Sequence, residues 1–264
     1  MSIIARGTAA AAVATFATVS LAGCDFDFGK SEFRDTYRIP VAISEIQVSG
    51  GSGDVTVRPG PPGQVEIARV VRYWHDNAPT EVHHKAEGTI LRASTECGDN
   101  CSINYVITAP RGVRVSGHND SGNLDLVGVS TVEFTVGSGE VVVKEATGAV
   151  RVSTDSGNID LTTVSGTVSA QTGSGDIDAR DLKSDSVTAT TDSGNVTLAL
   201  TTPTAVNTQT GSGDIELRVP AGDYQVDAQT DSGDLNVSDV PSRPGAANLL
   251  RLRADSGNIT VRQT

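Results

Sequence analysis

From about residue 113 to its end the chain alternates apolar and polar positions with period two, in short runs broken by turns. Val150-Arg-Val152 and Val187-Thr-Ala189 are runs before a turn. Ile159-Asp-Leu161 and Ile215-Glu-Leu217 are runs after one. Such alternation puts one set of side chains on each face of a strand. Val, Ile and Thr dominate these runs, as strands prefer. Between paired runs sits a Ser-Gly turn: Asp120-Ser-Gly-Asn123, Gly137-Ser-Gly-Glu140, Asp155-Ser-Gly-Asn158, Gly173-Ser-Gly-Asp176, Asp192-Ser-Gly-Asn195, Gly211-Ser-Gly-Asp214, Asp231-Ser-Gly-Asp234 and Asp255-Ser-Gly-Asn258. The serines therefore recur at Ser121, Ser138, Ser156, Ser174, Ser193, Ser212, Ser232 and Ser256, a nearly constant interval that grows slowly along the chain. Pro241-Ser-Arg-Pro-Gly245 lengthens the last interval. A lone apolar residue such as Val164 or Leu182 follows the second run. No stretch after residue 40 has helical periodicity.

A fixed period of this size marks a solenoid, in which each repeat is one coil stacked on its neighbours. The pattern therefore predicts an all-β protein: a parallel β-solenoid with coils of about 18–20 residues. A single coil buries too few apolar side chains to offset the entropy of ordering it, so stacking supplies the stability. Gly51-Ser-Gly-Asp54 is an early copy of the turn, and a gap of several coil lengths separates Ser52 from Ser121. That gap holds longer alternating runs, Val65 to Trp74, Thr89 to Thr95 and Ser102 to Ala109, which read as antiparallel hairpins. The organisation expected is a signal peptide over 1–24, a tether over 25–37, an N-terminal β cap over 38–112 including the first Ser-Gly turn, and solenoid repeats over 113–264. The strand holding Ile259 and Val261 has no evident capping element after it. This predicts an exposed sheet edge, a liability that is either blunted by Arg262 or paired in an end-to-end homodimer through the last coil.

The segment 1–24 reads as a targeting signal rather than structure. Arg6 supplies a positive charge, residues 8–22 are apolar and small, and Leu21-Ala-Gly-Cys24 matches the lipobox of bacterial lipoproteins. The match implies diacylglycerol on Cys24 and a protein held on a membrane surface by lipid, at the extracytoplasmic face of the cell membrane. Asp25 after that cysteine is the residue type that retains such proteins at the inner membrane in diderm bacteria. No other segment has the roughly 20 apolar residues needed to span a bilayer. The net charge of −12 disfavours nucleic acid as a partner. Aromatic content of 4% argues against a stacked-aromatic carbohydrate platform on the solenoid.

The turn carboxylates alternate in position from coil to coil. Asp155 before one Ser-Gly is followed by Asp176 after the next, then by Asp192 and Asp214. Carboxylates stacked in one column about 4.8 Å apart would repel by roughly 1 kcal/mol per pair in water. Alternation about doubles that spacing, which makes the pattern a structural device. A second reading is a row of weak Ca²⁺ sites at Asp155, Asp176, Asp192, Asp214, Asp231 and Asp234. The nine-residue Gly-rich unit of Ca²⁺-binding β-rolls is absent, and no other cofactor is expected. A third reading gives the Asp columns a catalytic role, as in polysaccharide-cleaving β-helices, but nothing singles out a carboxylate pair with a basic partner. Cys97-Gly-Asp-Asn-Cys101 predicts a disulfide in an exported protein. His75, His83 and His84, near Asp76, read as a polar loop or as ligands for Zn²⁺ or Cu²⁺. No Gly-x-Ser-x-Gly elbow, phosphate-binding loop or His-Glu-x-x-His spacing occurs, and we expect no enzyme activity.

Gly50-Gly-Ser-Gly-Asp-Val-Thr-Val57, Tyr105-Val-Ile-Thr-Ala-Pro-Arg-Gly112 and the Ser-Gly-Asp/Asn-apolar repeats running to Val261 together resemble bacterial adhesin-like β-strand-repeat lipoproteins of the DUF4097/DUF4098 type. The resemblance covers roughly residues 40–264. It implies a β-solenoid exposed at the cell surface or envelope and carries over no site residues. The function expected is a lipid-anchored, adhesin-like, non-enzymatic interaction protein that binds an envelope protein or an extended glycan. The alternative is an envelope-stress sensor or scaffold bound to a membrane protein partner. A polysaccharide-active enzyme is the third reading.

Overall fold

The computed structural model describes residues 29–74, 78–79 and 81–264; the expected signal peptide, Cys24 and His75 lie outside the described residues. The N-terminal strands are β1 (Lys30–Ile39), β2 (Glu45–Gly51), β3 (Val55–Gly60), β4 (Val65–Trp74), β5 (His84–Glu87), β6 (Ile90–Thr95) and β7 (Cys101–Pro110). The repeats follow as pairs, one strand on each side of a Ser-Gly turn. They are β8 (Arg114–Ser121) with β9 (Leu124–Val127), β10 (Val132–Ser138) with β11 (Val141–Ala146), and β12 (Val150–Ser156) with β13 (Ile159–Val164). Next come β14 (Val168–Ser174) with β15 (Ile177–Leu182), β16 (Ser186–Ser193) with β17 (Val196–Leu200), and β18 (Ala205–Ser212) with β19 (Ile215–Val219). The last pairs are β20 (Tyr224–Ser232) with β21 (Leu235–Asn236), and β22 (Asn248–Ser256) with β23 (Ile259–Gln263).

Two facing sheets result. The first runs β1-β4-β7-β3-β9-β11-β13-β15-β17-β19-β23-β21, and the second β20-β22-β18-β16-β14-β12-β10-β8-β2-β6-β5. Together they are the ten coils of a parallel β-solenoid, roughly 45 Å long at the usual strand spacing. The turn serines stack in register: Ser121, Ser138, Ser156, Ser174, Ser193 and Ser212 pair in sequence. Inward residues of both sheets, among them Val152, Leu161, Ile177 and Leu198, are almost wholly buried in one continuous core. The lone apolar residues Ala146, Val164 and Leu182 are buried too, at a corner of the coil. The residue before each, Glu145, Thr163 or Asp181, has positive φ near 55°. That left-handed residue turns the chain so that its successor points inward, and only a backbone constraint puts a β-branched Thr there.

The ends depart from chain order. The first Ser-Gly coil, β2–β3, is not part of a separate cap: it lies between β6–β7 and β8–β9, parallel to both. The N-terminal end does carry antiparallel pairs, β1 with β4, β4 with β7 and β5 with β6. The runs Thr89 to Thr95 and Ser102 to Ala109, however, are not a hairpin. They form a coil whose turn is the Cys97–Cys101 loop, because their inward residues Leu91, Ala93, Ile103, Tyr105 and Ile107 continue the core beyond β2–β3. The expected tether to Tyr37 is also corrected: β1 is paired with β4 from Lys30 onward. Ion pairs of Arg72 with Glu32 and of Arg38 with Glu66 hold it there.

At the other end the last coil of the chain, β22–β23, is inserted between β18–β19 and β20–β21. The expected edge at Ile259 and Val261 is therefore an interior position, and β20–β21 is the outer coil. The long segment between Asn236 and Asn248 lets the chain step back inside. Part of that segment then covers the outer edge of β20: Arg243 N donates to Tyr224 O at 2.8 Å, and Val226 N donates to Ser242 Oγ at 2.9 Å. Val240 is buried there as an end plug.

Stacking is closest at the turn glycines. A Cβ on Gly194 would stand 2.0 Å from the carbonyl oxygen of Gly175, and the φ of Gly194 is +150°. Gly194→Ala combines this overlap with a strained backbone worth about 1–3 kcal/mol by itself. We expect a loss exceeding that range in chemical denaturation, whereas Ala at Gly63, where a Cβ meets nothing within 4 Å, costs less.

Candidate functional site

The ridge of Ser-Gly turns carries the most ordered polar array of the molecule. In two runs of coils, the residue after the turn Gly uses its side-chain oxygen to accept the backbone N–H of the equivalent residue one coil on. Asn158 Oδ1 accepts from Asp176 N at 2.9 Å, Asp176 Oδ1 from Asn195 N at 2.7 Å, and Asn195 Oδ1 from Asp214 N at 2.9 Å. Asp214 Oδ1 then accepts from Asn258 N at 2.7 Å, and Asn258 Oδ1 from Asp234 N at 2.9 Å. A second run joins Asn104, Asp54, Asn123 and Glu140. In space, acid and amide alternate without exception from Asn104 to Asp234. In the chain, Asp214 is followed by Asp234 and then Asn258, so the exchanged last coils restore the alternation. Each Asn can also donate to the adjacent carboxylate, as Asn195 Nδ2 does to Asp176 at 3.2 Å. Inside the ridge, Thr172, Thr191 and Thr210 donate to the carbonyls of Gly157, Gly175 and Gly194. These Thr hydroxyls supply hydrogen-bond partners to the half-buried turn carbonyls.

The two outer faces differ. On the first sheet an acidic column of Asp125, Asp160, Asp178 and Glu216 runs beside a basic column of Arg58, Lys144, Arg180, Arg218 and Arg262. Arg218 pairs with Glu216 at 2.8 Å, and Arg180 with Asp178. A hydrogen bond between the carboxyl groups of Glu140 and Asp160 raises the pKa of Glu140. The middle of the second sheet carries no outward charge over three coils, at β14, β16 and β18. Ser169, Gln171, Thr188, Thr190, Asn207 and Gln209 stand there in register, bounded by Arg151 on one side and by Arg251 and Arg253 on the other.

A third polar group is buried at the N-terminal end. Arg69 points inward from β4 and is only 3% exposed. Its Nε donates to Asp35 at 2.8 Å and its Nη2 to Tyr37 at 3.2 Å. His84 packs edge-on against Tyr37, with ring centroids 4.5 Å apart, and against Tyr105 at 6.3 Å. Burial, reinforced by the positive charge of Arg69, pushes the His84 pKa down to about 4. Burial works against ionisation of Asp35, but hydrogen bonds from Arg69 and Tyr37 outweigh it and hold the carboxyl below its usual range. Arg69 has one anionic partner in a core position. Sequence periodicity gives no sign of it, since an Arg in an alternating run reads as an outward residue.

The structure separates the residues that the sequence suggested as sites. Asp176, Asp214 and Asp234 are ladder members. Asp155, Asp192 and Asp231 precede their serines in the neighbouring column, where Gly173 stands between Asp155 and Asp192. His83 and His84 lie next to the Arg69 guanidinium, which lowers the pKa of both after burial. Among the described residues no group of three or more His, Cys, Asp or Glu converges to hold a metal ion. Cys97 and Cys101 are joined as a disulfide with Cα atoms 5.5 Å apart.

The family model for Toastrack DUF4097 matches residues 36–262. No curated protein matches the chain. Among solved structures, a candidate adhesin of Bacteroides fragilis is 15% identical with a TM-score of 0.49, covering 88% of this chain and 97% of its own. A candidate cell adhesion protein of Clostridium sporogenes is 11% identical with a TM-score of 0.31, covering 89% and 100%. A candidate adhesin of Parabacteroides merdae is 13% identical with a TM-score of 0.27, covering 88% and 96%.

Two outcomes are expected. Asn195→Asp places three carboxylates in consecutive coils, a cost of about 1 kcal/mol per pair in water. Urea denaturation at neutral pH measures it, and added salt reduces it. Asp176→Asn keeps the ladder acceptor and is near neutral, so equal losses from both variants contradict the charge-alternation account. The second outcome concerns pH. His84 is neutral in the fold, with a pKa below its ordinary value of 6.5. The unfolded chain binds that proton first, so stability is complete above about 6.5 and declines as pH falls towards about 4. The depressed Asp35 adds a further loss at lower pH. His84→Phe flattens the decline in the upper part of this window, read as denaturation midpoints across the pH series.

Proposed function

This chain belongs to the Toastrack DUF4097 family, and on that premise we propose that it is a lipid-anchored, non-enzymatic interaction protein of the cell envelope, facing away from the cytoplasm. The observation that carries the reading is the uncharged, in-register field of Ser, Thr, Asn and Gln on the second sheet. It repeats hydrogen-bonding groups at strand spacing along the rod, which suits an extended polar partner rather than a small molecule held in a cleft. Neutral donors and acceptors bind a glycan or peptide strand without the desolvation cost that ionised groups impose. The lipobox ending in Cys24 supports the anchor. Against a glycan-cleaving role stands the ladder, in which Asp176 and Asp214 spend side-chain oxygens on backbone N–H groups.

Photo-crosslinking residues placed at Thr190, on the uncharged face, and at Thr162, on the charge-striped face, test this in intact cells. Capture of an envelope polymer or protein strand from position 190 and not from 162 is expected. A discrete membrane protein captured instead, from either face, moves the assignment to the sensor or scaffold reading. Equal yields from both positions overturn the proposed contact face.

A further inference from the structure

The N-terminal end of the solenoid has one corner unlike the rest of its surface. Gly29 and Lys30 lie there against Trp74: a Cβ on Gly29 would stand 3.8 Å from the indole, and the Lys30 ammonium lies 4.9 Å from its ring centroid. Trp74 is the only tryptophan in the chain, and it is 39% exposed. Strand alternation points it outward on the same face as Arg72. A groove of about 530 Å³ separates these side chains from the disulfide loop at Asp99 and Asn100. The charges are mixed, because Arg72 is paired with Glu32 at 2.9 Å and Asp99 lines the groove, so electrostatics alone favours no strong anion binding here.

The length of chain ahead of this corner decides what it meets. Cys24 precedes Lys30 by six residues. Six residues reach at most about 20 Å when fully extended. A diacylglycerol on Cys24 would therefore hold the corner within about 20 Å of the headgroups, less than half the length of the rod. The headgroup layer is within that reach, and indole rings are favoured there, where an apolar ring and a polar N–H meet the two sides of the interface. A lysine beside the ring adds attraction to anionic headgroups.

We infer that the N-terminal end docks on the phospholipid headgroup layer through Trp74 and Lys30, with the C-terminal coils turned outward. The inference rests on the lipid anchor proposed above. It assigns Trp74 a contact that the fold does not require, since nothing in the core depends on an outward indole.

The single tryptophan makes the test direct. The full-length lipidated chain is reconstituted on vesicles of phosphatidylcholine and phosphatidylglycerol, with and without brominated acyl chains. A blue shift of Trp74 emission and its loss in the brominated vesicles are expected. A chain with a long Gly-Ser insert between Cys24 and Lys30 separates docking from enforced nearness, because a docked indole stays quenched when the linker is slack. Loss of quenching in that variant overturns docking. So does unquenched emission from a native chain that floats with the vesicles. A chain that does not float, and carries no lipid by mass spectrometry, overturns the anchor and the inference with it.

Discussion

The repeats from Gly122 onward depend on one close approach, the backbone of a turn glycine against the carbonyl of the turn glycine in the adjacent coil. The gap admits no side-chain carbon: the same virtual overlap of about 2.0–2.2 Å recurs at Gly139, Gly157, Gly175, Gly194, Gly213 and Gly257. It sets the register for the strands on either side. A slip by one residue would turn each alternating strand inside out and drive a Cβ into a carbonyl. The apolar core supplies most of the driving force, but the glycine column determines which stacking that force selects.

The polar ladders follow from this register. Once the glycines stack, the next residue of each coil stands above its counterpart, and like charges there would oppose assembly. Asn between each pair of acids removes the conflict and also fills the backbone donors of the turn. The exchanged order of the last two coils belongs to the same logic. Placing Asn258 between Asp214 and Asp234 avoids the only acid–acid neighbours that chain order would have produced in that column. The companion column is less tidy, since Asp255 and Asp231 remain neighbours where the coils exchange.

Strand positions, turn positions and the two-faced core were legible because period-two alternation and a fixed Ser-Gly spacing are local signals. The coil exchange at each end was not. Which strand neighbours which is a long-range choice, and the runs around Leu91 and Ile103 alternate the same way whether they form a hairpin or a coil. The strand at Lys30–Ile39 was hidden by its charges, because Glu32 and Asp35 read as a solvated tether when their partners on β4, Arg72 and Arg69, are not visible. The candidate contact face was also out of reach. Six residues from three separate coils form it, and none is distinctive in its own repeat. Arg69 was missed for the opposite reason: one ionic residue on a core-facing position violates the pattern from which the others were read.

The interleaving at the ends bears on how the molecule carries load. A solenoid stacked strictly in chain order can be unwound one coil at a time by tension on its terminus, each step breaking one row of hydrogen bonds. Here tension entering through Lys30 peels β1 from β4 and then reaches β2–β3, a coil held by rows of bonds on both sides. The mirrored placement of β22–β23 gives the far end the same property. Force applied at either end must shear a coil from between two neighbours, which makes the rod a tension-bearing strut rather than a spool.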